Sequence, residues 1–328
     1  MDKHVLVTGG AGYIGSHACK VLAEAGFVPV AFDNLSTGWE QAVQFGPFAH
    51  GDLLDRASID RAFSQFRPIA VMHFAALSLV GESMKDPGRY WRENVNGALN
   101  LVEAAIAAGC LNFVFSSTCA TYGDQDGVLL DEDTEQHPIN AYGASKKAIE
   151  EILKNFSASH GLTHVIFRYF NVAGADPAAQ IGEQHRPETH LIPLMLDAID
   201  GRRPALTVFG QDYPTPDGTC VRDYVHVMDL ADAHVKGIGW LLDGKGTRQF
   251  NLGTGKGFSV KQVIDASASV TNRPVPIVHG PRRPGDAAAL VSGSSRAKAE
   301  LGWAPVRSNL PQMIRDALAW SQKPGYTH

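Results

Sequence analysis

Tyr142 and Lys146 stand four residues apart in Tyr-Gly-Ala-Ser-Lys, and a helix would place both side chains on one face. A free tyrosine, with a pKa of roughly 10, is a poor base at neutral pH. A neighbouring ammonium favours the phenolate and is expected to lower that value. Such a pair can take the proton of a sugar or alcohol hydroxyl, which hydride removal from the same carbon requires. By itself the pattern fits an ordinary surface helix as well as a catalytic one, so its meaning depends on the elements that would position it.

The chain opens with the apolar run His4-Val-Leu-Val-Thr8, then Gly9-Gly-Ala-Gly-Tyr-Ile-Gly15, then an amphipathic stretch from Ser16 to Ala25. Strand, glycine turn and helix in that order are the context of a dinucleotide fingerprint. Glycines let the backbone turn sharply and approach a pyrophosphate that rests on the helix N-terminus. A second run, from Phe27 to Phe32, ends at Asp33, eighteen residues beyond Gly15. That is near the spacing of the acid that grips the adenosine ribose hydroxyls. Asn34, Leu35 and Ser36 follow, with no arginine to receive a 2′-phosphate. The expected cofactor is therefore NAD rather than NADP.

Apolar runs at 4–8, 27–32, 69–74, 112–116 and 164–169 alternate with helical periodicity near 13–25, 56–66, 88–108 and 141–159. This alternation predicts an α/β fold with a doubly wound parallel sheet. A Rossmann-type NAD-binding domain is expected over residues 1–172, joined by parts of 227–252. Beyond 172 prolines and glycines become frequent, and 173–186 reads as a long loop. A smaller, mixed α/β substrate lobe is expected over 173–328, with helices near 191–200, 228–242, 260–269 and 310–321. Ser259 and Gln262 give one of them a capping pattern. In such sheets ligands bind beyond the carboxyl ends of the strands, where Asp52, His73 to Ala76, Ser116 to Thr118 and Asn171 fall. Asp52 is either a partner for adenine or a turn acid, and Asp131 to Glu135 reads as a solvated acidic loop.

The 328 residues are 44% hydrophobic and 19% charged, with a net charge of -5, an ordinary soluble composition. No basic run offers nucleic acid an electrostatic footprint, and no apolar stretch is long enough to span a bilayer. The first strand begins almost at once and leaves no room for a signal peptide, so a cytoplasmic protein is expected. Cys19, Cys110, Cys119 and Cys220 are scattered, as reduced thiols would be. His185 and His190 come nearest to a metal-binding pair. With no cysteine or carboxylate pattern read around them, no metal is expected.

Thr118 ends the strand-like run from Phe113 and precedes Tyr142 by twenty-four residues. A hydroxyl there, followed by the Tyr–Lys pair, resembles the extended short-chain dehydrogenase/reductase superfamily. Within it the chain is similar to the UDP-glucose 4-epimerase (UDP-galactose 4-epimerase) family. The resemblance runs almost end to end, through 7–17, His73 to Ala76, Val80 to Ser83, Asn94 to Gly97, Tyr142 to Lys146, Arg168 to Asn171, 209–215, 217–232 and Arg283 to Asp286.

The resemblance implies reversible C4 epimerisation of a UDP-hexose through a transient 4-keto sugar, serving galactose metabolism or the supply of galactosyl donors. Tyr142 would be the base, Thr118 its hydroxyl neighbour, and Lys146 would bind the nicotinamide ribose. Gly9, Gly12, Tyr13, Ile14, Asp33, Asn34, Asp52, Leu53, Phe74, Ala75, Ala76, Asn94 and Phe170 map to the NAD site. Asn171, Arg222 and Arg283 map to the UDP diphosphate, Asp286 to the uridine ribose, and Leu290 to the C2 substituent of the sugar. Leu191 and Phe209 are further substrate contacts, and a homodimer through the helices near 88–108 and 141–159 is implied. Arginine forks suit phosphate oxygens, although Arg222-Asp223 equally reads as a surface ion pair. Three positions depart from the pattern: Thr118 where many relatives have serine, Ser78 where some have lysine, and His190 where many have asparagine. UDP-pentose and UDP-uronate epimerases would share nearly every motif. A nucleotide-sugar dehydratase would carry an acidic pair after the threonine, where this chain has Cys119-Ala120.

Overall fold

The computed structural model describes residues 3–125, 129–283 and 286–327. Seven parallel strands form the main sheet, in the spatial order Arg248–Leu252, Thr163–Tyr169, Asn112–Ser116, Ala70–His73, His4–Thr8, Val28–Asp33 and Phe48–His50. The chain winds outward one way from His4–Thr8 and then the other way, so the switch point lies between that strand and Ala70–His73. Val5 to Val7, Val71, Met72, Phe113 to Phe115 and Val165 to Phe167 are all nearly or wholly inaccessible. Continuous apolar runs are what a sheet covered on both faces needs. Helix Tyr13–Glu24 lies on one face beside Val227–Leu242, burying Ala18, Leu22, Leu230 and Ile238 in one core. On the other face Gly97–Ala107 and Ala141–His160 bury Leu101, Val102, Ile149 and Leu153 in a second.

The remaining elements form a smaller layer. Strand Val221–His226 is its spine: it pairs in parallel with Asn171–Ala173 and Ala289–Ser292, and antiparallel with Gly257–Ser259. These strands were not marked by periodicity, because each is short and none alternates cleanly. The helix Val260–Thr271 does begin where its sequence indicates. The Ser259 hydroxyl accepts from the Gln262 amide at 3.1 Å, and the Gln262 side chain accepts from the Ser259 amide at 2.8 Å.

Two expectations need correction. The helix anticipated near 88–108 is three pieces, Pro87–Tyr90, a π-helical turn Trp91–Asn96, and Gly97–Ala107. The wide turn carries Asn94, whose amide is held by the backbone of Leu77 and by Ser145; π turns are frequent at functional sites. The acidic stretch 131–135 is not wholly solvated either. Glu132 is buried and accepts from the Asn251 amide at 2.7 Å.

Helix Ala141–His160 is fixed against the sheet by charge as well as by apolar contact. Glu150 is fully buried and receives a bidentate pair from Arg168, at 3.0 and 2.6 Å. The Ser117 hydroxyl donates to the same carboxylate at 2.6 Å. Arg168 also reaches the Tyr122 hydroxyl, which donates to Asn251. Removing one partner strands the other as an uncompensated buried charge. Glu150→Ala should therefore lower the unfolding free energy by about 3–5 kcal/mol in urea titration. A loss below about 1 kcal/mol would place this pair with surface bridges that contribute little.

Candidate active site

A single cleft of about 700 Å³ runs along the carboxyl ends of the central strands and up to the smaller layer. Its floor begins at Gly9, immediately after strand His4–Thr8. Gly9 has φ +73°, and a Cβ there would stand 2.7 Å from the Ala75 amide nitrogen. At Gly15 a Cβ would come within 2.0 Å of the Gly9 carbonyl. Only glycine lets the helix start this close to the sheet. Gly12 is the N-cap residue of helix Tyr13–Glu24 and makes no side-chain capping bond, leaving first-turn amides turned toward the cleft. At the end of the next strand Asp33 accepts from the Ala11 and Leu35 amides, at 3.0 and 2.8 Å. Burial raises the pKa of Asp33, and those amides pull it back. An amide-lined turn, a free helix N-terminus and an acid at the second strand fit a dinucleotide with unmodified ribose.

Tyr13, Ile14, Asn34, Asp52, Leu53, Phe74, Ala75, Ala76, Asn94 and Phe170 line the same cleft. Asp52 acts as a turn acid, and it also lines the cleft. One of its oxygens caps the Leu54 amide at 2.7 Å, and the other accepts from Asn34 at 2.8 Å. Asn94 lines the cleft, but its amide is bonded to Leu77 and Ser145, so it also positions the loop after Ala76 and the tyrosine helix.

Tyr142, Lys146 and Glu150 follow one another at intervals of four along helix Ala141–His160. The Asn140 side chain caps this helix on the Gly143 amide at 2.8 Å. A Cβ on Gly143 would meet the Ala120 carbonyl at 2.5 Å, so glycine lets the helix dock against the segment after Thr118. Lys146 is buried, donates to the Ser116 carbonyl at 2.9 Å and lies 4.9 Å from the centre of the Phe115 ring. Burial pushes its pKa down to about 7, with Glu150 acting the other way. Thr118 stands at the mouth of strand Asn112–Ser116, and its hydroxyl accepts from the Ala120 amide at 3.1 Å.

The tyrosine itself departs from expectation. Its pKa is raised to about 12, not lowered: burial dominates, and the neighbouring Thr118 hydroxyl only partly offsets it. Desolvation disfavours the phenolate, and Lys146 is held against a main-chain carbonyl. The protein alone therefore keeps Tyr142 protonated at neutral pH.

The opposite wall comes from the smaller layer, where pairing sets the positions. Arg222 is the register partner of Leu290, and Tyr224 that of Asn171. All four line the cleft, as do Leu191 and Asp286. Asp286 is bracketed by two arginines, Arg283 at 2.9 Å and Arg222 at 3.6 Å. Arg222 is thus not half of a surface pair with Asp223. Asp223 is buried and accepts from the amides of Thr254, Gly255 and Ser292. Phe209 and Arg283 do not line the cleft. The Arg283 guanidinium lies 5.0 Å from the centre of the Phe209 ring.

Glu183, Thr189, Tyr169 and Tyr224 also line the cleft and carry no role in the sequence reading, while His185, there only half of a histidine pair, lines it too. Tyr169 was legible as the last residue of a strand; the others lie on a loop and a short strand that no periodicity marks.

Residues 5–253 match the NAD dependent epimerase/dehydratase family. A UDP-glucose 4-epimerase of Rhizobium leguminosarum bv. trifolii is 51% identical over 97% of both chains. The chain belongs to the UDP-glucose 4-epimerase family. The crystal structure of the Brucella ovis UDP-glucose 4-epimerase in complex with NAD superposes with a TM-score of 0.94 at 45% identity, covering 97% of this chain and 98% of that one. The Bifidobacterium longum UDP-glucose 4-epimerase in complex with NAD+ and UDP superposes at 0.92 and 35% identity, with 98% of each chain covered.

Tyr142 is the base we propose for this site, and phenylalanine removes its oxygen while keeping the ring. Tyr142→Phe should reduce turnover by roughly 10²- to 10⁴-fold, with UDP and NAD binding retained in calorimetric titration. Thr118→Ala should cost less, since it removes one hydroxyl neighbour. Near wild-type turnover by Tyr142→Phe would assign the base elsewhere.

Proposed function

We infer that this protein catalyses the reversible, NAD-dependent epimerisation of UDP-hexoses at C4, interconverting UDP-glucose and UDP-galactose. One observation carries the reading. Tyr142, Thr118 and Lys146 face a cleft that continues into the glycine turn and Asp33 on one side and into Arg222 and Asp286 on the other.

Gly9, Gly12, Asp33, Phe74 and Lys146 would hold the cofactor, with Asp33 accepting from the adenosine ribose hydroxyls and excluding a 2′-phosphate by repulsion. When bound, NAD would supply the hydride acceptor and donor for C4. The Tyr142 oxygen takes the proton of the 4-hydroxyl and gives it back, while Thr118 keeps that proton path aligned. The cleft, about 700 Å³ in volume, would leave a 4-keto sugar room to turn and present its other face. Arg222 anchors the diphosphate, assisted by Arg283 as it leaves Asp286, and Asp286 then becomes free to accept from the uridine ribose. A remote anchor that stays put while the sugar turns uses binding energy without fixing the reacting ring. Atoms and electrons balance without any external oxidant.

Neither the partner copy nor the compartment is needed for this chemistry, and both belong to the proposal. We place the protein in the cytoplasm, as four unpaired and buried cysteines suit a reducing compartment. No helix among the described residues is long and apolar enough to cross a membrane. A homodimer would form over the outer faces of Gly97–Ala107 and Ala141–His160. Ile149 and Leu153 are not available to it, since both are buried in the subunit's own core. A single monomeric boundary in sedimentation velocity would reject the dimer.

Incubation with UDP-galactose should yield an equilibrium mixture with UDP-glucose and no net NADH, and denatured protein should release NAD. Release of NADP, or stoichiometric consumption of reduced cofactor, would overturn the reading. Leu290 lines this cleft beside its register partner Arg222 and is shorter and more pliable than an aromatic residue. N-acetylated UDP-hexoses should therefore be turned over in part. Leu290→Tyr should depress that activity selectively, by roughly tenfold or more, with UDP-galactose spared. Parallel loss of both activities, or no change in either, would make Leu290 a packing residue.

A further inference from the structure

The loop 183–190 gathers four groups given no part in the proposed reaction, of which Glu183, His185 and His190 line the cleft. Glu183, His185, Glu188 and His190 each offer one ligand atom, and all four atoms lie within 4.8 Å of one another. The two carboxylates that the sequence reading missed are these glutamates. Both lie within three residues of a histidine, on a stretch with no helical or strand period to put them on one side.

We propose that this cluster is a structural binding site for a divalent transition cation of the zinc class. The His185 Nδ1 atom stands 3.3 Å from Glu183 Oε1 and 3.4 Å from Glu188 Oε1. A tetrahedral ion with bonds near 2.0–2.2 Å has ligand–ligand edges of roughly 3.3–3.6 Å. Those two separations already match. His190 Nδ1 contacts the same Glu183 oxygen directly, so a cation would enter by parting that contact and drawing the widest pair inward by about an ångström. Two carboxylates balance a dication, and imidazole with carboxylate favours zinc over magnesium or calcium. Four protein ligands leave no open position for a reacting water, which makes the site structural.

The frame around the cluster is built before any ion arrives. Trp320 donates to the Glu183 carbonyl at 2.9 Å, and Trp39 to the Gln184 carbonyl at 2.9 Å. Gly182 lies flat on Trp320, where a Cβ would be 2.2 Å from the indole. The Glu188 carboxylate accepts from the amides of Thr189 and His190, at 2.7 and 2.9 Å. The His185 ring meets that of Tyr13 edge to face, 6.4 Å between centres. His190 is the residue before helix Leu191–Ile199. A cation here would tie the start of the substrate-side helix to a loop braced against the cofactor side. This inference does not rest on the proposed reaction.

Untagged, NAD-loaded protein, stripped with a chelator and titrated with Co²⁺, should bind one equivalent per chain. The bound ion should show the intense visible absorption of tetrahedral cobalt. Zn²⁺ should displace it and raise the melting temperature. His185→Asn and His190→Asn should each weaken Co²⁺ binding by more than the roughly 10- to 100-fold typical of a lost outer-shell partner. His279→Ala, on the exposed part of strand Ile277–Gly280, should leave binding unchanged. No saturable uptake by the wild-type protein would overturn the proposal whether or not the variants fold. So would the weak spectrum of octahedral cobalt, or uptake that survives both cluster variants.

Discussion

The arrangement of this cleft depends on one buried ion pair. Arg168 and Glu150 join the end of a sheet strand to the third turn of the helix that carries Tyr142 and Lys146. Burying two charges is expensive, and a fully bonded pair at best recovers the cost. The pair therefore contributes position more than net stability. Each remaining valence extends that effect. Ser117 donates to Glu150 from the strand that presents Thr118. Tyr122, held by Arg168, passes the constraint to Asn251 on the edge strand. Apolar packing of Ile149 and Leu153 would allow the helix to slide; a bidentate carboxylate sets its depth and rotation.

The cofactor side is set by steric exclusion rather than by charge. A side chain at Gly9 or Gly15 would run into backbone atoms, which cannot yield as a flexible side chain could. The close approach exposes amides where the sheet order reverses, and Asp33 closes the far end through main-chain bonds of its own. The sugar side is set by strand register, since Arg222, Leu290, Asn171 and Tyr224 meet through adjacent strands. Three kinds of constraint thus meet in one cleft.

What the sequence made legible follows this division. Regular strands and helices of the first half carry strong periodicity, and the described ends differ from expectation by a residue or two. Glycine turn, acid and Tyr–Lys pair are local spacings, readable without knowing the fold. The short strands 171–173, 221–226 and 289–292 are read only through their pairing, which no local pattern encodes. The π turn around Asn94 arises from a side chain satisfying the Leu77 backbone across space. Glu132 appeared solvated because its partner, Asn251, lies 119 residues away. The reading of Arg222 with Asp223 failed for the same reason, since neighbours in sequence point to opposite faces of a strand.

The raised pKa of Tyr142 has a chemical meaning. With its phenol pushed to about 12 and Lys146 pushed to about 7, Tyr142 could serve as the proposed base only with a further cation beside it. Both shifts have one main cause, the burial of the two side chains among protein groups. The same low dielectric that penalises a lone phenolate magnifies its attraction to a nearby cation. Proton removal is then coupled to occupancy by a positively charged group. A phenolate formed early would be a reactive group without a substrate.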